Sequence, residues 1–377
     1  TYGETGKVNF PSYVARTTFK ILTDEWYKTG LGASLMALGN KDLTWETTKE
    51  YNIGIEIGIL HDLLYLDASY YRKKTVDLIN DVTIPSSTGF TTYSDNIGQI
   101  ENKGFELNFR ANIIREKDLF VALFANLAHN KNVILKISES LKSYNESVDK
   151  HFKENDESAP FLKYEEGGSL TSIFGMRSLG IDPATGYEIF LNKDGKRTSS
   201  WSAADMVICG DELPDFSGNF GFNWTWKGLS LNCVFRYQFG GQMYNQTLVD
   251  LVENADLNYN VDKRVYDGRW RNPGDVKPYK ALNYAYVQKP GTNEYEQKQI
   301  KTQATSRFVQ DRNELTLSSV NLGYDMMNHA FITKMGLKVL RFSFYMNDVY
   351  TWSSIRLERG TSYPFARSFN FSLSATF

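Results

Sequence analysis

The stretch Leu229–Phe239 has the sequence LSLNCVFRYQF, and apolar or aromatic side chains occupy all six of its odd-numbered positions. Among its five even-numbered positions, only Val234 is apolar. Alternation with a period of two predicts a strand with one apolar face and one polar face. The same alternation recurs at Tyr51–Ile57, Leu64–Tyr70, Phe105–Ile113, Phe220–Trp226 and Phe365–Phe377. The sequence therefore predicts an all-β protein.

The connections between these strands are alternately short and long. The short ones are Gly58–Asp62, Arg115–Asp118, Trp226–Gly228 and Met327–Gly336. The long ones are Asp77–Asn96, Lys131–Pro214, Gly241–Asp311 and Tyr350–Pro364. A soluble sandwich also has alternating strands, but short turns at one end and long loops at the other are typical of a transmembrane antiparallel β-barrel. We therefore predict such a barrel, with long extracellular loops.

The eight connections separate nine complete strands, and Tyr2–Gly6 predicts the end of one more, which gives ten. Ten strands close only a small barrel, which is too narrow for loops of this length. We expect an open, curved sheet whose two edges pair with strands outside this chain, so that the sequence is the C-terminal piece of something longer. Strand parity places Phe377 at the end that carries the short turns. The alternation breaks at Ser318–Ser319, where a β-bulge is expected.

The alternation also assigns directions to the side chains, because a strand with one apolar face has a fixed orientation. The set predicted to point outward into lipid is Leu229, Leu231, Cys233, Phe235, Phe369, Phe371 and Leu373. The set predicted to point into the lumen is Arg236, Asn370, Ser372 and Ser374. An aromatic girdle is expected near the strand ends, at Trp224, Trp226, Tyr237, Phe239 and Phe377.

Two of the long connections contain helical patterns. An amphipathic helix is predicted by the spacing of Ile137, Leu141, Tyr144, Val148 and Phe152. Further helix is predicted around Leu248, Val249, Leu251 and Val252, and again near Val261 and Val265. Loops of this length usually have structure of their own, and folded loops usually bind something.

Four aromatic residues in the long connections are candidate substrate-binding residues, namely Trp201, Tyr244, Trp270 and Trp352. Their rings could stack on sugar rings or on peptide side chains. The alternative is that the rings pack the loops internally.

Composition excludes several classes of protein. The formal net charge is −2, so the chain has no global field that would attract nucleic acid. Aromatic residues make up 14% of the chain, which excludes disorder. The two cysteines and four scattered histidines predict no metal site, and no nucleophile or acid–base set assembles. We therefore expect no cofactor and no enzyme activity.

The segment from Gly39 to Gly54 has the sequence GNKDLTWETTKEYNIG. It resembles the segment that precedes a barrel strand in SusC-like (SusC/RagA-type) TonB-dependent outer-membrane transporters. Further segments that fit the family are Asp67–Leu78, Asn96–Leu107, Leu179–Tyr187, Arg269–Asp275 and Tyr363–Phe377. The resemblance runs from residue 2 to residue 377 in family order, and it does not identify a substrate.

The resemblance implies a 22-stranded barrel in the outer membrane of a Gram-negative, Bacteroidota-like bacterium. Residues 1–377 would form its last ten strands, with the plug domain, the TonB contact segment and the first strands lying outside this sequence. It also implies a SusD-like surface lipoprotein as a lid, energy from the TonB complex, and a glycan or peptide cargo. Active import is therefore the leading hypothesis. The alternative is an all-β surface module that binds a ligand without transporting it.

Overall fold

The computed structural model describes residues 1–7, 13–61, 63–83, 92–155, 157–282, 284–288, 295–327, 330–356 and 367–377. Its strands up to the first long connection are β1 (Tyr2–Lys7), β2 (Thr18–Tyr27), β3 (Gly30–Ala37), β4 (Glu46–Ile59), β5 (Leu64–Thr83), β6 (Thr92–Arg115) and β7 (Leu119–Ile137). The later strands are β8 (Ser172–Gly175), β9 (Arg177–Ile181), β10 (Glu188–Leu191), β11 (Arg197–Thr198), β12 (Val207–Asp211), β13 (Phe216–Trp226), β14 (Leu229–Tyr244), β15 (Tyr284–Gln288), β16 (Tyr295–Gln299), β17 (Val309–Met327), β18 (Val339–Ser353) and β19 (Phe369–Thr376). The α-helices are α1 (Glu139–Glu154), α2 (Gln246–Leu248), α3 (Lys263–Asp267) and α4 (Ala330–Lys334), and α2 continues into a π-helical segment, Val249–Glu253. The predicted connection Tyr350–Pro364 lies outside the described residues from position 357 onward, as do the first two residues of the predicted strand Phe365–Phe377.

Ten strands form one antiparallel sheet in the order β1-β4-β5-β6-β7-β13-β14-β17-β18-β19. These are the ten strands that the sequence predicted. In the described part of the chain, β1 pairs only with β4 and β19 pairs only with β18. The sheet is therefore open at both edges, as expected. We call the end of the sheet with the short turns the turn end, and the opposite end the loop end.

The register sorts side chains into apolar and polar rows across the sheet. One row of directly opposed residues is Trp224, Leu231, Leu322, Phe344 and Phe371. The next row is Asn223, Asn232, Asn321, Tyr345 and Asn370. Opposed residues share a face and neighbouring rows lie on opposite faces, so the apolar and polar sets are separated as predicted. Phe371 is 74% exposed, so the apolar face is not a dry interior.

Several strands run further than predicted at the loop end. The ladder between β5 and β6 continues to Thr83 and Thr92, so most of the predicted connection Asp77–Asn96 is strand. Similarly, β7 reaches Ile137 and β17 starts at Val309. These extensions lie beyond the alternating stretches, and Ile97 and Ile134 within them are buried, so the alternation does not mark them as strand. The bulge expected at Ser318 is confirmed, since the register with β14 skips from Ser319 to Leu317.

Helices form in both of the longest connections, as predicted. Ser138 caps α1 by accepting a hydrogen bond from Leu141 N, and Leu141, Val148 and Phe152 are buried. In the other connection Val249 and Val252 are fully buried, whereas Leu251 and Val261 are exposed. Val249 and Val252 therefore pack within the loops, whereas Leu141 packs against Ile97 of β6.

The sequence did not predict the hairpin β2–β3, which follows β1 and precedes β4 along the chain. This hairpin is separate from the ten-stranded sheet. Two asparagines fix its foot to the loop end of the sheet. The Asn40 amide donates to Asp95 Oδ1 at 3.0 Å, and Thr44 N donates to Asn96 Oδ1 at 2.8 Å. Part of the segment Gly39–Gly54, which resembles the transporter family, therefore attaches the hairpin to the sheet.

Gly39 sets the spacing of this foot. A Cβ at Gly39 would lie 2.2 Å from the carbonyl carbon of Arg16 and 2.4 Å from Thr17 N. Overpacking of this kind costs about 1–3 kcal/mol, so Gly39→Val should raise amide hydrogen exchange in β2 and β3 by about tenfold or more. The matched control is Gly3→Val, because a Cβ there meets nothing within 4 Å. Unchanged exchange in the Gly39 variant would contradict this role.

Candidate functional site

The two longest connections join into one folded unit at the loop end, which we call the loop body (the described residues within 138–215 and 245–308). Met176 N donates to Ala304 O at 3.1 Å, and Ser306 N donates back to Met176 O at 3.0 Å. Ala281 N donates to Gly186 O at 3.0 Å. Main-chain hydrogen bonds between distant segments hold them in one fixed arrangement, so the loop body is not a pair of independent loops.

A buried ion triad lies at the centre of the loop body. Arg307 Nη2 donates to Glu188 Oε2 at 2.8 Å and to Glu253 Oε1 at 2.5 Å. Thr305 Oγ1 donates to Glu188, and Thr302 Oγ1 donates to Glu253. Burial by itself would lower the pKa of Arg307, but the two carboxylates outweigh it and raise that pKa. The triad joins the first long connection to the second through charge-assisted hydrogen bonds.

Two of the four candidate aromatic residues, Trp201 and Trp270, lie in the loop body. Trp201 Nε1 donates to Ala304 O at 2.9 Å, and its ring centroid is 5.6 Å from that of Phe152. Trp270 Nε1 donates to Pro183 O at 2.8 Å. Both indoles thus bridge the two connections. Their packing role is clear, and a role in binding cargo stays a prediction.

The other two candidates lie on wall strands and not in loops. Tyr244 ends β14, is 8% exposed, and donates from its hydroxyl to Ser158 O at 3.1 Å. Burial raises the pKa of Tyr244, so its hydroxyl stays protonated as a donor. Trp352 lies in β18 opposite Leu315, on the apolar face, with 49% of its surface exposed. Both were expected in loops, because the predicted ends of these two strands came too early.

The polar face of the sheet forms a cavity of about 340 Å³ that the sequence analysis did not assign as a site. Its lining includes Lys73 and Glu106 together with a hydrogen-bonded chain of three side chains. The Tyr71 hydroxyl donates to Asn130 Oδ1 at 3.2 Å, and Asn130 Nδ2 donates to Asn102 Oδ1 at 3.3 Å. The polar positions of the alternating stretches were the sequence signal for this surface.

A larger cavity, of about 600 Å³, lies where β7 meets the loop body. Asn130 lines both cavities, so the polar face of the sheet continues into this one. Asn132 Oδ1 accepts from Leu170 N at 2.9 Å, and Gln242 Oε1 accepts from Asp211 N at 3.1 Å. Carboxamide groups both donate and accept, so this surface suits polar groups of a ligand.

Two further kinds of feature would bear on function, namely a metal site and a membrane-spanning helix. The described residues contain no group of three or more His, Cys, Asp or Glu side chains that could hold a metal ion. Within the same residues, no helix has the length and apolar character needed to span a membrane.

This chain is similar in sequence to a known protein family and to several named relatives. The family described as "TonB dependent receptor-like, beta-barrel" matches residues 2–249. TonB-dependent receptor P3 of Formosa agariphila is 28% identical over 359 residues, which cover 90% of this chain and 33% of the relative. TonB-dependent receptor SusC of Bacteroides thetaiotaomicron is 27% identical over 271 residues, which cover 67% of this chain and 26% of the relative.

A solved structure gives the same fold. The structure of the RagAB peptide transporter aligns with a TM-score of 0.71 at 22% identity, over 94% of this chain and 37% of that chain. The chain thus spans about a third of the length of the relatives that it matches. Because the family match covers more than half of the sequence and the sheet has the expected open, antiparallel form, the chain belongs to the TonB-dependent receptor-like β-barrel family of the bacterial outer membrane.

Proposed function

We propose that this chain forms part of the wall and the outer loops of a TonB-dependent importer of an oligomeric nutrient. The cargo is a glycan or a peptide, and a SusD-like surface lipoprotein closes over the loops as a lid. In this proposal residues 1–377 are the last ten strands of a 22-stranded barrel, and the plug domain and TonB contact segment belong to a preceding part of the protein. The relatives are named TonB-dependent receptors, and the solved structure with the same fold is titled as a peptide transporter, which supports this proposal.

The observation that carries the proposal is the fixed structure of the loop body. A segment that only connects two strands needs no core of its own, whereas this one buries Glu253 completely and binds it to Arg307. Burying charged groups is costly, so such an arrangement supports a surface whose shape matters. A lid that docks repeatedly on the loop end requires a surface of that kind.

The polar face of the sheet supports the second element of the proposal, which is a route for the cargo. The two cavities that share Asn130 connect the loop body with the polar face below it. Hydrogen-bonding groups along this surface replace water for a polar oligomer as it passes. The same groups suit glycans and peptides alike.

Deletion of residues 138–158, together with 246–267 in the second connection, should impair uptake and capture of the lipoprotein. Both segments lie outside the ten-stranded sheet, so assembly of the barrel should be unaffected. The measurements are uptake of labelled oligomer by cells, co-purification of the lipoprotein, and the receptor level in the outer membrane. A double substitution in an exposed turn, Lys193→Ala with Lys196→Ala, serves as the control.

Survival of both uptake and lipoprotein capture after these deletions would refute the proposal. Oligomer binding that persists without any TonB-dependent uptake would instead favour the alternative, a non-transporting all-β surface module that binds ligand.

A further inference from the structure

A third cavity, of about 210 Å³, lies inside the loop body between the two long connections. Its lining includes three aromatic residues, Tyr187, Phe190 and Trp201. It also includes two lysines, Lys280 and Lys301.

Lys280 has hydrogen-bonding capacity that the described residues do not use. It is only 9% exposed, and its Nζ donates to Ile300 O at 3.0 Å. In the described part of the chain this carbonyl is the only acceptor for Lys280 Nζ. An ammonium group has three donors, so two remain for a ligand.

The acidic groups nearby do not supply the missing acceptors. Glu188 is the acidic residue that lines the cavity, and its carboxylate accepts from Arg307 and Thr305. Glu253 is likewise bound by Arg307. Burial lowers the pKa of Lys280, and the nearby carboxylates of Glu253 and Glu188 offset this only in part. A buried charge is normally paired, so an anion in the cavity would complete the arrangement.

We propose that this cavity is a subsite for a carboxylate group of the cargo. The carboxylate accepts hydrogen bonds from Lys280 Nζ, Lys301 adds positive charge at the exposed side, and the ring or carbon chain that bears the carboxylate packs against Trp201 and Tyr187. The inference rests on the proposed function, because it narrows the cargo to oligomers with acidic groups. The carboxylate could belong to a uronic acid or to a peptide.

The test measures binding by calorimetry to the intact receptor with two matched pairs of probes. One pair is a hexuronic acid oligosaccharide and the same oligosaccharide with its carboxyl groups reduced to alcohols. The other pair is a short peptide acid and its amide. We expect the wild-type receptor to prefer the acidic member of one pair by about tenfold to a hundredfold, the usual effect of a hydrogen bond to a charged group. The pair that shows the preference identifies the source of the carboxylate.

Lys280→Gln should abolish this preference while leaving the affinity for the neutral probe unchanged. The matched control is Lys277→Gln, because Lys277 also donates to a main-chain carbonyl, that of Asp267, but does not line the cavity. Lys301→Gln, at an exposed position, should weaken the preference without endangering the fold, and it decides the question if the Lys280 variant does not fold.

Equal binding of both members in both pairs would overturn the subsite, as would a preference that both Lys280→Gln and Lys301→Gln retain. The proposed function fails separately. A preference that depends on these lysines, without TonB-dependent uptake, would leave the subsite standing and remove transport. TonB-dependent uptake of neutral oligomers only would support transport and remove the subsite.

Discussion

Replacement of Arg307 by methionine is expected to loosen the loop body and leave the ten-stranded sheet folded. The variant retains Glu188 and Glu253, which are 5% and 0% exposed, but removes the cation that binds both. Removal of one partner from a buried ion pair costs about 3–5 kcal/mol, because the remaining charge stays desolvated. Hydrogen exchange measured by mass spectrometry should therefore rise in β8–β12 and in α2–α3, with little change in β5–β7.

A matched control and a rescue variant make this result interpretable. Arg341→Met removes an arginine whose partner, Asp325, lies at the turn end in an exposed pair. Such pairs contribute little, so exchange in the loop body should not change. Adding Glu188→Gln and Glu253→Gln to Arg307→Met should restore much of the protection, because no unpaired charge remains. Failure of this rescue would assign the effect to lost packing and not to the carboxylates.

The ion triad also illustrates what the sequence could not predict. Arg307 lies 119 residues from Glu188 and 54 residues from Glu253 along the chain. No local pattern connects positions so far apart, and each residue alone looks like an ordinary surface charge. The helical patterns in the same connections were predictable because the spacing of apolar residues is local, as at Leu141, Val148 and Phe152.

The ten strands of the sheet were predictable for a related reason. Each one separates two environments, and its residues alternate accordingly, as Leu229–Phe239 does opposite Phe216–Trp226. The prediction of the strand ends failed where the two faces of a strand no longer differ in environment. Beyond the apolar band, β5, β6 and β14 continue without clear alternation, so Tyr244 was placed in a loop. The hairpin β2–β3 was missed because it belongs to no layer with a buried face, and Phe19 and Trp26 remain exposed.

The candidate site was predictable only in part. Large aromatic residues pointed to the loop body, and the structure places Trp201 and Trp270 there. Lys280 gave no signal in the sequence, because its importance comes from burial beside a cavity. Burial of a single lysine depends on tertiary packing, which local composition does not encode.

Gly104→Ala is expected to prevent assembly of the barrel wall. A Cβ at Gly104 in β6 would lie 2.1 Å from the main-chain oxygen of His129 in β7. That oxygen belongs to the backbone and cannot rotate away, so β6 and β7 must separate or shift in register. The measurement is heat-modifiable migration of the intact receptor on SDS gels, together with its level in the outer membrane. We expect the folded band to be lost.

Gly54→Ala in β4 is the matched control, because its Cβ would lie 3.6 Å from the nearest atom, Ala68 O, at ordinary contact distance. The ring of Tyr71 also covers Gly104, with its hydroxyl oxygen 2.8 Å from the added Cβ. Tyr71→Ala combined with Gly104→Ala should still fail to assemble, since it removes the ring but not the carbonyl of His129. Recovery of the folded band in this double variant would mean that the aromatic ring was the obstacle, and that β6 and β7 tolerate a side chain at this position.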